Sequence, residues 1–430
     1  MTLPRVRPYQ ENLSLDSLID KSLINIPESL FDNLQYVQYI CHVVNSCITL
    51  PVVTPQTLKT RLRTINGYKE KLAKLLTRPK IEQRSPEWFA LRSNLITASD
   101  FAQALGAGKF GNQKQFFKKK CGYEEESFSH YIPPLKWGCM FEQLATNIYE
   151  VRQNTKVHEF GILPHPTISY FGASPDGISE QGIMLEIKCP FMRKITGEIP
   201  QQYYYQIQGQ LEVCDLDECD YLEVGFKEYS GDTEFDADLE HPHEQGIILE
   251  YTLKSEDNLI PHYEYSPILC YSQPDKDERM RYIHFADKEG RRMRQRELKE
   301  WVADTVNRLE NMPDVHNGDI IYRYWKLDVY NVVRVYRDKE FTHAELQDLS
   351  HVWDKILKYK QDKDMYLTEV CCKRMTKAQQ AANALLFAQE KDRNEEAMTS
   401  DEGTEGNENG GSENESDRKF AFEFLPEADD

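Results

Sequence analysis

A change in the hydrophobic pattern near the middle of the chain predicts a tight turn that leads into a buried strand. Residues 174–177 read Ser-Pro-Asp-Gly, in which proline fixes φ and glycine tolerates the positive φ that turns often need. Residues 183–188 then run as an extended, mostly apolar segment. Because side chains alternate along a strand, the aliphatic residues are expected to face a core, whereas Glu186 and Lys188 share the opposite face.

A charged pair within an otherwise apolar strand is costly to bury unless a ligand binds there. A divalent cation held by Asp176 and Glu186, with Lys188 beside it, would remove that cost. Oxygen ligands suit hard cations, above all Mg²⁺, for which Mn²⁺ is a substitute. The D-x9-E-x-K spacing alone occurs by chance in many chains. The interpretation therefore depends on its position at the end of one predicted strand and along the next.

Two predicted helices before this segment carry a candidate phosphate site. Ser85 and Pro86 fit the N-cap and the first position of one helix, and Arg92 lies one turn beyond Trp88. Ser99 is expected to cap the second helix. A helix N-terminus with a free hydroxyl and a nearby arginine can bind phosphate, although most N-cap serines serve only as caps.

A basic run follows the second of these helices. Lys118, Lys119 and Lys120 come after a loop that contains glycine and phenylalanine. The run suits contact with a nucleic-acid backbone, and a solvated surface run is an equally ordinary interpretation.

Two further predicted helices bring polar side chains towards the central turn and strand. Glu142 lies beside the apolar stripe of a helix that begins near residue 137, where its carboxylate either points into a site or is simply exposed. A helix after residue 200 repeats glutamine at 202, 206 and 210 on one face. That face can pack on the active strand and hydrogen-bond a phosphate or a metal-bound water.

Periodicity and composition divide the chain into four regions. They are a helical extension over 1–80, a core over 81–312, a small α+β unit over 313–385 and an acidic, disordered tail over 386–430. The basic face of the extension is interpreted either as solvated or as a surface for DNA or a partner.

The net charge of −19 is unevenly distributed along the chain, and this changes what it implies about DNA binding. Residues 390–430 hold 15 acidic and 4 basic residues, so this segment contributes 11 of those negative charges. The charge therefore excludes DNA coating over the whole surface, but it allows a local basic groove.

Targeting signals and cysteine spacing bear on the compartment. No apolar run approaches the length that spans a bilayer, and residues 1–10 lack the apolar core of a signal peptide. The 10 cysteines form no CxxC pair, so we interpret them as reduced thiols of an intracellular protein rather than as a zinc or iron–sulfur site.

Five sequence segments, in this order, resemble the PD-(D/E)xK nucleases, and specifically the phage lambda exonuclease-like (YqaJ-type) viral recombinases and alkaline exonucleases. The segments are R-S-P-E-W-F-A-L-R with I-T-A-S, L-K-W-G-x-x-F-E, S-P-D-G, L-E-I-K-C-P and Y-Y-Q-I-Q-G-Q. They cover about residues 81–228. The resemblance implies an α/β (α+β) fold with a restriction-endonuclease-like core, in which helices flank a central mixed sheet.

The same resemblance implies roles for individual residues. Metal ligands would be Glu142, Asp176 and Glu186, with an added oxygen from the Ile187 carbonyl. Lys188 would serve the attacking water, and Gln206 would support the site. A 5′-terminal phosphate would be held by Arg92 and Ser99. The contact of Lys118, Lys119 and Lys120 with DNA is instead predicted from the charge of that run.

By resemblance, the expected activity is Mg²⁺-dependent 5′→3′ resection of linear double-stranded DNA. The 3′ single strand would serve recombination, replication or repair, with a single-strand-annealing protein as partner and a trimer as the assembly. The extension, the C-terminal unit and the tail depart from the compact phage pattern, which leaves the trimer and the end preference open. The expected location is the nucleus or a cytoplasmic viral replication site of a host, without a membrane.

Two alternatives to the exonuclease remain from the sequence. One is a structure-specific endonuclease acting on DNA or RNA, which would prefer closed circles or folded RNA. The other is a non-catalytic DNA-binding scaffold, although a scaffold has no use for a buried carboxylate cluster.

Overall fold

A mixed sheet is the centre of the larger of two units in the structure. The computed structural model describes residues 16–17, 19–20, 33–47, 53–81, 85–109, 111–123, 132–239, 241, 243–254, 260–271, 282–285, 288–315 and 320–371. The two units are Met1–Tyr366 and Leu367–Asp430. In the second unit the described residues form the π-helical turn Leu367–Cys371. The tail predicted over 386–430 lies outside the described residues.

The strands differ widely in length. They are β1 (Ile96–Thr97), β2 (Val157–His158), β3 (Leu163–Pro164), β4 (Phe171–Ala173), β5 (Gly177–Ser179), β6 (Met184–Lys188), β7 (Glu218–Glu228), β8 (Gln245–Thr252), β9 (Pro261–Tyr265), β10 (Ile268–Tyr271), β11 (Tyr282–Phe285) and β12 (Ile321–Tyr336). The central sheet has the order β11-β10-β8-β12-β7-β6-β5-β2, with β9 paired to β8. A separate small sheet has the order β1-β4-β3.

The helices lie between and after these strands. They are α1 (Leu34–Cys47), α2 (Pro55–Leu76), α3 (Pro86–Ser93), the 3₁₀ turn Ala98–Asp100, α4 (Phe101–Ala104), α5 (Gln113–Lys120), α6 (Pro133–Gln153), α7 (Gln201–Cys214), α8 (Asp232–Ala237), α9 (Lys288–Glu310), α10 (Lys339–Gln361) and α11 (Lys363–Tyr366). None of the described helices combines the length and the apolar character needed to cross a bilayer. The predicted α/β class, a mixed sheet flanked by helices, is confirmed.

Strand β6 forms as its alternating pattern predicts. Leu185 and Ile187 are buried in a core that also contains residues of α6, including Phe141 and Leu144. β6 pairs with β7 in parallel and with β5 in the antiparallel direction. Burial of the aliphatic side chains on one face therefore fixes which face Glu186 and Lys188 occupy.

The long strand β12 differs from the domain division predicted from the sequence. The sequence placed residues 313–385 in a small unit of their own, yet β12 is an interior strand that pairs with both β7 and β8. Trp325 and Leu327 of this strand are buried in the same core as β6. A sequence pattern shows that a strand is amphipathic or apolar, but it does not show which sheet the strand joins.

Candidate active site

Asp176, Glu186 and Lys188 meet where the turn before β5 reaches the middle of β6. Gly177 pairs with Leu185, so the preceding aspartate arrives beside the charged part of the strand. Asp176 Oδ2 accepts a hydrogen bond from the amide of the residue after Glu186 at 2.7 Å. Lys188 Nζ forms an ion pair with Glu186 Oε1. The structure thus brings together the three side chains that the sequence pattern singled out.

Gln210 holds the other oxygen of the central carboxylate. Its Nε2 donates to Glu186 Oε2 at 2.8 Å and lies 3.4 Å from the carbonyl oxygen of Ser174. The sequence assigned the supporting role to Gln206, which lies one helical turn earlier and is partly exposed. The signal that could have found Gln210 is the shared glutamine face of α7, because both residues lie on it.

The carboxylates at this site repel one another. Burial raises the pKa of Asp176 well above its ordinary value, and the charges of Glu186 and Glu142 raise it further. Burial alone would lower the pKa of Lys188, but Glu186 and Asp176 outweigh it and raise that pKa above its usual value. Lys188 is therefore an ammonium at neutral pH, and it offsets part of the negative charge.

The donor chemistry of the cluster suits a hard divalent cation, because carboxylate oxygens dominate it and their mutual repulsion favours added positive charge. Within the part of the chain that the structure describes, no three acidic, histidine or cysteine side chains are arranged to hold a metal ion. The hydrogen bonds of Glu186 and Asp176 explain why their carboxylates are not directed at one common point. Glu186 is directed at Lys188 and Gln210, and Asp176 is directed at the Ile187 amide.

Glu142 reaches this site from α6, whose position is fixed further along the helix. Tyr149 OH donates to Asp220 Oδ2 at 2.7 Å, and Asp220 lies on β7. Arg152 donates from Nε and Nη2 to the two carboxylate oxygens of Glu244, each at 2.7 Å. Both acceptors are buried. The contacts of Tyr149 with Asp220 on β7 and of Arg152 with Glu244, just before β8, thus set the rotation of α6. Glu142 is close enough to raise the pKa of Asp176.

Arg92 and Ser99 form a polar corner beside the small sheet. Arg92 Nη2 donates to Ser99 Oγ at 3.1 Å, and its guanidinium lies 4.9 Å from the Trp88 ring centroid. Thr97 Oγ1 lies 3.0 Å from Ser99 Oγ. The expectation that Ser99 caps a helix is wrong, because the 3₁₀ turn begins at Ala98 and has no side-chain cap. The exposed hydroxyl is thus directed at the arginine, as a phosphate site would need.

The lysine run divides between the surface and the interior. Lys118 and Lys119 are exposed, as a DNA-contacting surface requires. Lys120 corrects the prediction: its side chain is 3% exposed and its Nζ lies 2.8 Å from Asp100 Oδ2. The same ammonium donates to the Leu95 carbonyl at 2.6 Å. Lys120 therefore stabilises the segment that carries Ser99 from the interior of the fold. The sequence of a lysine run does not show which of its lysines is buried.

One turn of α7 connects the corner to the carboxylates. A Cβ placed on Gly209 would lie 3.2 Å from the Cβ of Ala98, so this glycine allows the helix to approach the residue before Ser99. The next residue, Gln210, binds Glu186. Ala98, next to the Arg92–Ser99 corner, and Glu186, in the carboxylate cluster, thus contact neighbouring residues of α7.

The carboxylate cluster with Lys188 and Gln210, and the Arg92–Ser99 corner, fall within one matched segment. Residues 87–217 match the YqaJ-like viral recombinase domain. The resemblance to this family that was inferred from the sequence is thereby confirmed over these residues. Helix α2 and strand β12 lie outside the matched YqaJ-like segment.

Viral proteins are among the relatives of this chain. An uncharacterized protein of Acanthamoeba polyphaga mimivirus is 28% identical over 317 residues, which are 66% of this chain and 54% of that protein. A protein of African swine fever virus (isolate Tick/Malawi/Lil 20-1/1983) is 27% identical over 161 residues, which are 30% of this chain and 46% of that protein. The chain spans about half the length of these relatives.

Solved structures show a more distant likeness. An alkaline exonuclease from Laribacter hongkongensis aligns with a TM-score of 0.37 and 17% identity, covering 66% of this chain and 100% of that one. A phage-related exonuclease from Haemophilus somnus 129PT aligns with a TM-score of 0.30 and 11% identity, covering 64% of this chain and 96% of that one.

Proposed function

We propose that this protein is a Mg²⁺-dependent exonuclease that degrades linear double-stranded DNA in the 5′→3′ direction. The observation that carries the proposal is the convergence of Asp176, Glu186 and Lys188 beside Gln210 of α7. The neighbouring Gly209 packs closely on Ala98, the residue before Ser99 in the Arg92–Ser99 corner. One part offers groups for hydrolysis, and the other offers groups for a phosphate.

Asp176 and Glu186 would hold the cation, with Glu142 and the Ile187 carbonyl as the further ligands that the resemblance implies. A bound divalent cation lowers the pKa of a water molecule and offsets charge that develops on the phosphate. Gln210 fixes one oxygen of Glu186, which limits the rotations open to that carboxylate. Lys188 is held as an ammonium, so it orients the attacking water and the scissile phosphate by donating hydrogen bonds.

Arg92 and Ser99 would bind the 5′-terminal phosphate of the strand that is degraded. A guanidinium and a hydroxyl that already lie 3.1 Å apart can donate to the same phosphate without a large rearrangement. Lys118 and Lys119 would contact the DNA backbone further along. Anchoring of the 5′ end next to the hydrolytic groups would give the enzyme its direction and its requirement for an end.

The 3′ single strand left by this reaction would pass to recombination, replication or repair, through a single-strand-annealing protein. A trimer, as the resemblance implies, would enclose the duplex. A size measurement on the full chain with and without linear DNA tests this assembly.

The activity is tested by incubating the full chain and Mg²⁺ with three end-labelled substrates. They are a linear duplex with a 5′ phosphate, the same duplex with a 5′ hydroxyl, and a covalently closed circle. Stepwise loss from the phosphorylated 5′ end is expected. The control variant is Lys299→Ala, since this exposed lysine pairs with Asp236 on another part of the surface and should not affect the rate.

Lys188→Ala and Glu186→Ala should each abolish digestion. Wild-type rates in either variant would contradict the proposal. Cutting of the closed circle would favour the endonuclease alternative, and binding without cutting of any substrate would favour the scaffold.

A further inference from the structure

We propose that Tyr203 is a positioning residue for Lys188, an inference that rests on the proposed nuclease function. Lys188 Nζ lies 5.0 Å from the centroid of the Tyr203 ring, within the range of a cation–π interaction. The electron-rich face of the ring attracts the ammonium, while Glu186 attracts it from another side. The lysine head group is thus held between a carboxylate and an aromatic face.

The Tyr203 ring is itself held in place. The residue lies in the first turn of α7, where its amide donates to the Pro200 carbonyl at 2.9 Å. Its ring packs 6.0 Å from the ring of Tyr221, which is fully buried on β7. Tyr221 is in register with Glu186 across the β6–β7 pair. The ring that contacts Lys188 therefore rests on the strand next to the one that carries the lysine.

Tyr221 is fixed in turn by a buried acid. Its hydroxyl donates to Glu223 Oε1 at 2.8 Å, and Arg193 forms an ion pair with the same carboxylate. Glu223 is fully buried and is in register with Lys188. A continuous series of contacts, from Arg193 through Glu223 and Tyr221, therefore holds the Tyr203 ring that contacts Lys188.

The aromatic contact matters because Glu186 alone cannot fix the ammonium during the reaction. The lysine side chain is 22% exposed and has several rotatable bonds, so an ion pair leaves it freedom to move. Glu186 is also a proposed metal ligand, and a bound cation would compete for its negative charge. The attraction of the ring for the ammonium does not use that carboxylate. Tyr203 would therefore keep Lys188 in place when the pull of Glu186 weakens.

The ring face makes this contact, so phenylalanine should replace tyrosine and leucine should not. Tyr203→Leu is expected to lower kcat about 5-fold, the rate equivalent of about 1 kcal/mol, which is typical of a cation–π interaction. KM should stay within about twofold, because the contact positions a side chain and does not bind DNA. Tyr203→Phe should keep kcat within about twofold of wild type.

A second readout uses the metal-free protein and does not depend on activity. The rate of reductive methylation at Lys188, followed by mass spectrometry of the peptide that contains it, reports how accessible and mobile the lysine amino group is. This rate should rise severalfold in Tyr203→Leu and stay unchanged in Tyr203→Phe. Tyr204→Leu is the matched control, because the Tyr204 ring packs on Phe341 and its loss should change neither readout.

The outcomes separate this inference from the proposed function. If Lys188→Ala loses activity while Tyr203→Leu matches wild type in both kcat and methylation, the positioning role is wrong and the nuclease proposal stands. If Tyr203→Phe loses as much as Tyr203→Leu, the hydroxyl and not the ring face acts, which also overturns the inference. Full activity in Lys188→Ala would instead reject the function on which it rests.

Discussion

Replacement of Lys120 by methionine should destabilise the fold, although this lysine belongs to a run that looks like surface. The ammonium lies 2.8 Å from Asp100 Oδ2, and the exposed fractions of the two side chains are 3% and 7%. It also donates to the Leu95 carbonyl at 2.6 Å. Methionine fills similar space but leaves the Asp100 carboxylate buried without its main partner.

Removing one partner of a buried ion pair costs about 3–5 kcal/mol. The lower end applies here, because Thr97 Oγ1 still donates to Asp100 at 2.8 Å and Lys119 remains 3.8 Å away. Unfolding entropy is about 2.1 cal/mol/K per residue, so a unit of this size changes by roughly 0.8 kcal/mol per degree near its midpoint. Lys120→Met should therefore lower Tm by about 4 °C.

The assay is thermal unfolding of the full chain at neutral pH, with Lys119→Met as the matched control. Lys119 is 54% exposed, so its loss should cost no more than about 0.5 kcal/mol, which is under 1 °C. A double variant, Lys120→Met with Asp100→Asn, should recover part of the loss because no buried charge is left unpaired. Equal Tm values for Lys120→Met and Lys119→Met would refute the reasoning.

The pH dependence of the stability of Lys120→Met follows from the direction in which the pKa of Asp100 is shifted. Burial tends to raise the pKa of Asp100, but the charges of Lys120, Lys119 and Arg92 together outweigh it and hold that pKa below its ordinary value, with Lys120 contributing most. In wild type the carboxylate therefore stabilises the fold above its unfolded pKa, and this contribution is lost as the pH falls. Without Lys120 the buried carboxylate destabilises the fold until it is protonated. The Tm deficit of Lys120→Met should consequently shrink as the pH is lowered from 7 towards 4.

Two further variants test contacts elsewhere in the fold. Gly182 has φ +77° and a Cβ there would lie 2.6 Å from the Tyr68 carbonyl oxygen, so Gly182→Ala should cost about 2 kcal/mol or more in urea unfolding. Gly106→Ala, at φ +78° in open space, should cost only about 1 kcal/mol, and equal losses would contradict the close contact. The pKa of Glu212 is lowered to about 2 by His165, whose Nε2 lies 3.7 Å from Glu212 Oε1, and by a neighbouring arginine, so its stabilisation is present above the unfolded pKa and is lost as the pH falls. Between pH 6 and 4 wild type should lose about 0.6 kcal/mol more than Glu212→Gln in urea unfolding, and parallel pH curves would count against that pair.

Local sequence rules succeeded where a few neighbouring residues determine the geometry. Ser85 caps α3 as expected, since its Oγ accepts from the Trp88 amide at 3.1 Å. The turn at 174–177 and the alternation in β6 bring Asp176 to Glu186 for the same reason. In these places proline, glycine and period-two burial restrict the backbone to few conformations. The family match then extends this agreement over residues 87–217.

Contacts between distant residues were not accessible to the same rules. The Asp100–Lys120 pair joins a 3₁₀ turn to the end of α5, and no periodic pattern relates the two residues. Gln210 and Gln206 share a helical face, so periodicity cannot decide which of them meets Glu186. The choice depends on where α7 crosses β6, which the close approach of Gly209 to Ala98 determines.

Helix α2, part of the helical extension, makes buried contacts with the strand next to β6. Arg61 lies between Asp20 and Glu218, at 2.7 Å from Asp20 through both Nε and Nη2, and Arg334 of β12 contacts the same two acids. All of these side chains are largely buried, so each charge depends on the others. Glu218 begins β7, and the pairing of β7 with β6 sets the position of Glu186. Elements outside the YqaJ-like segment thus help to fix the strand that carries the proposed chemistry.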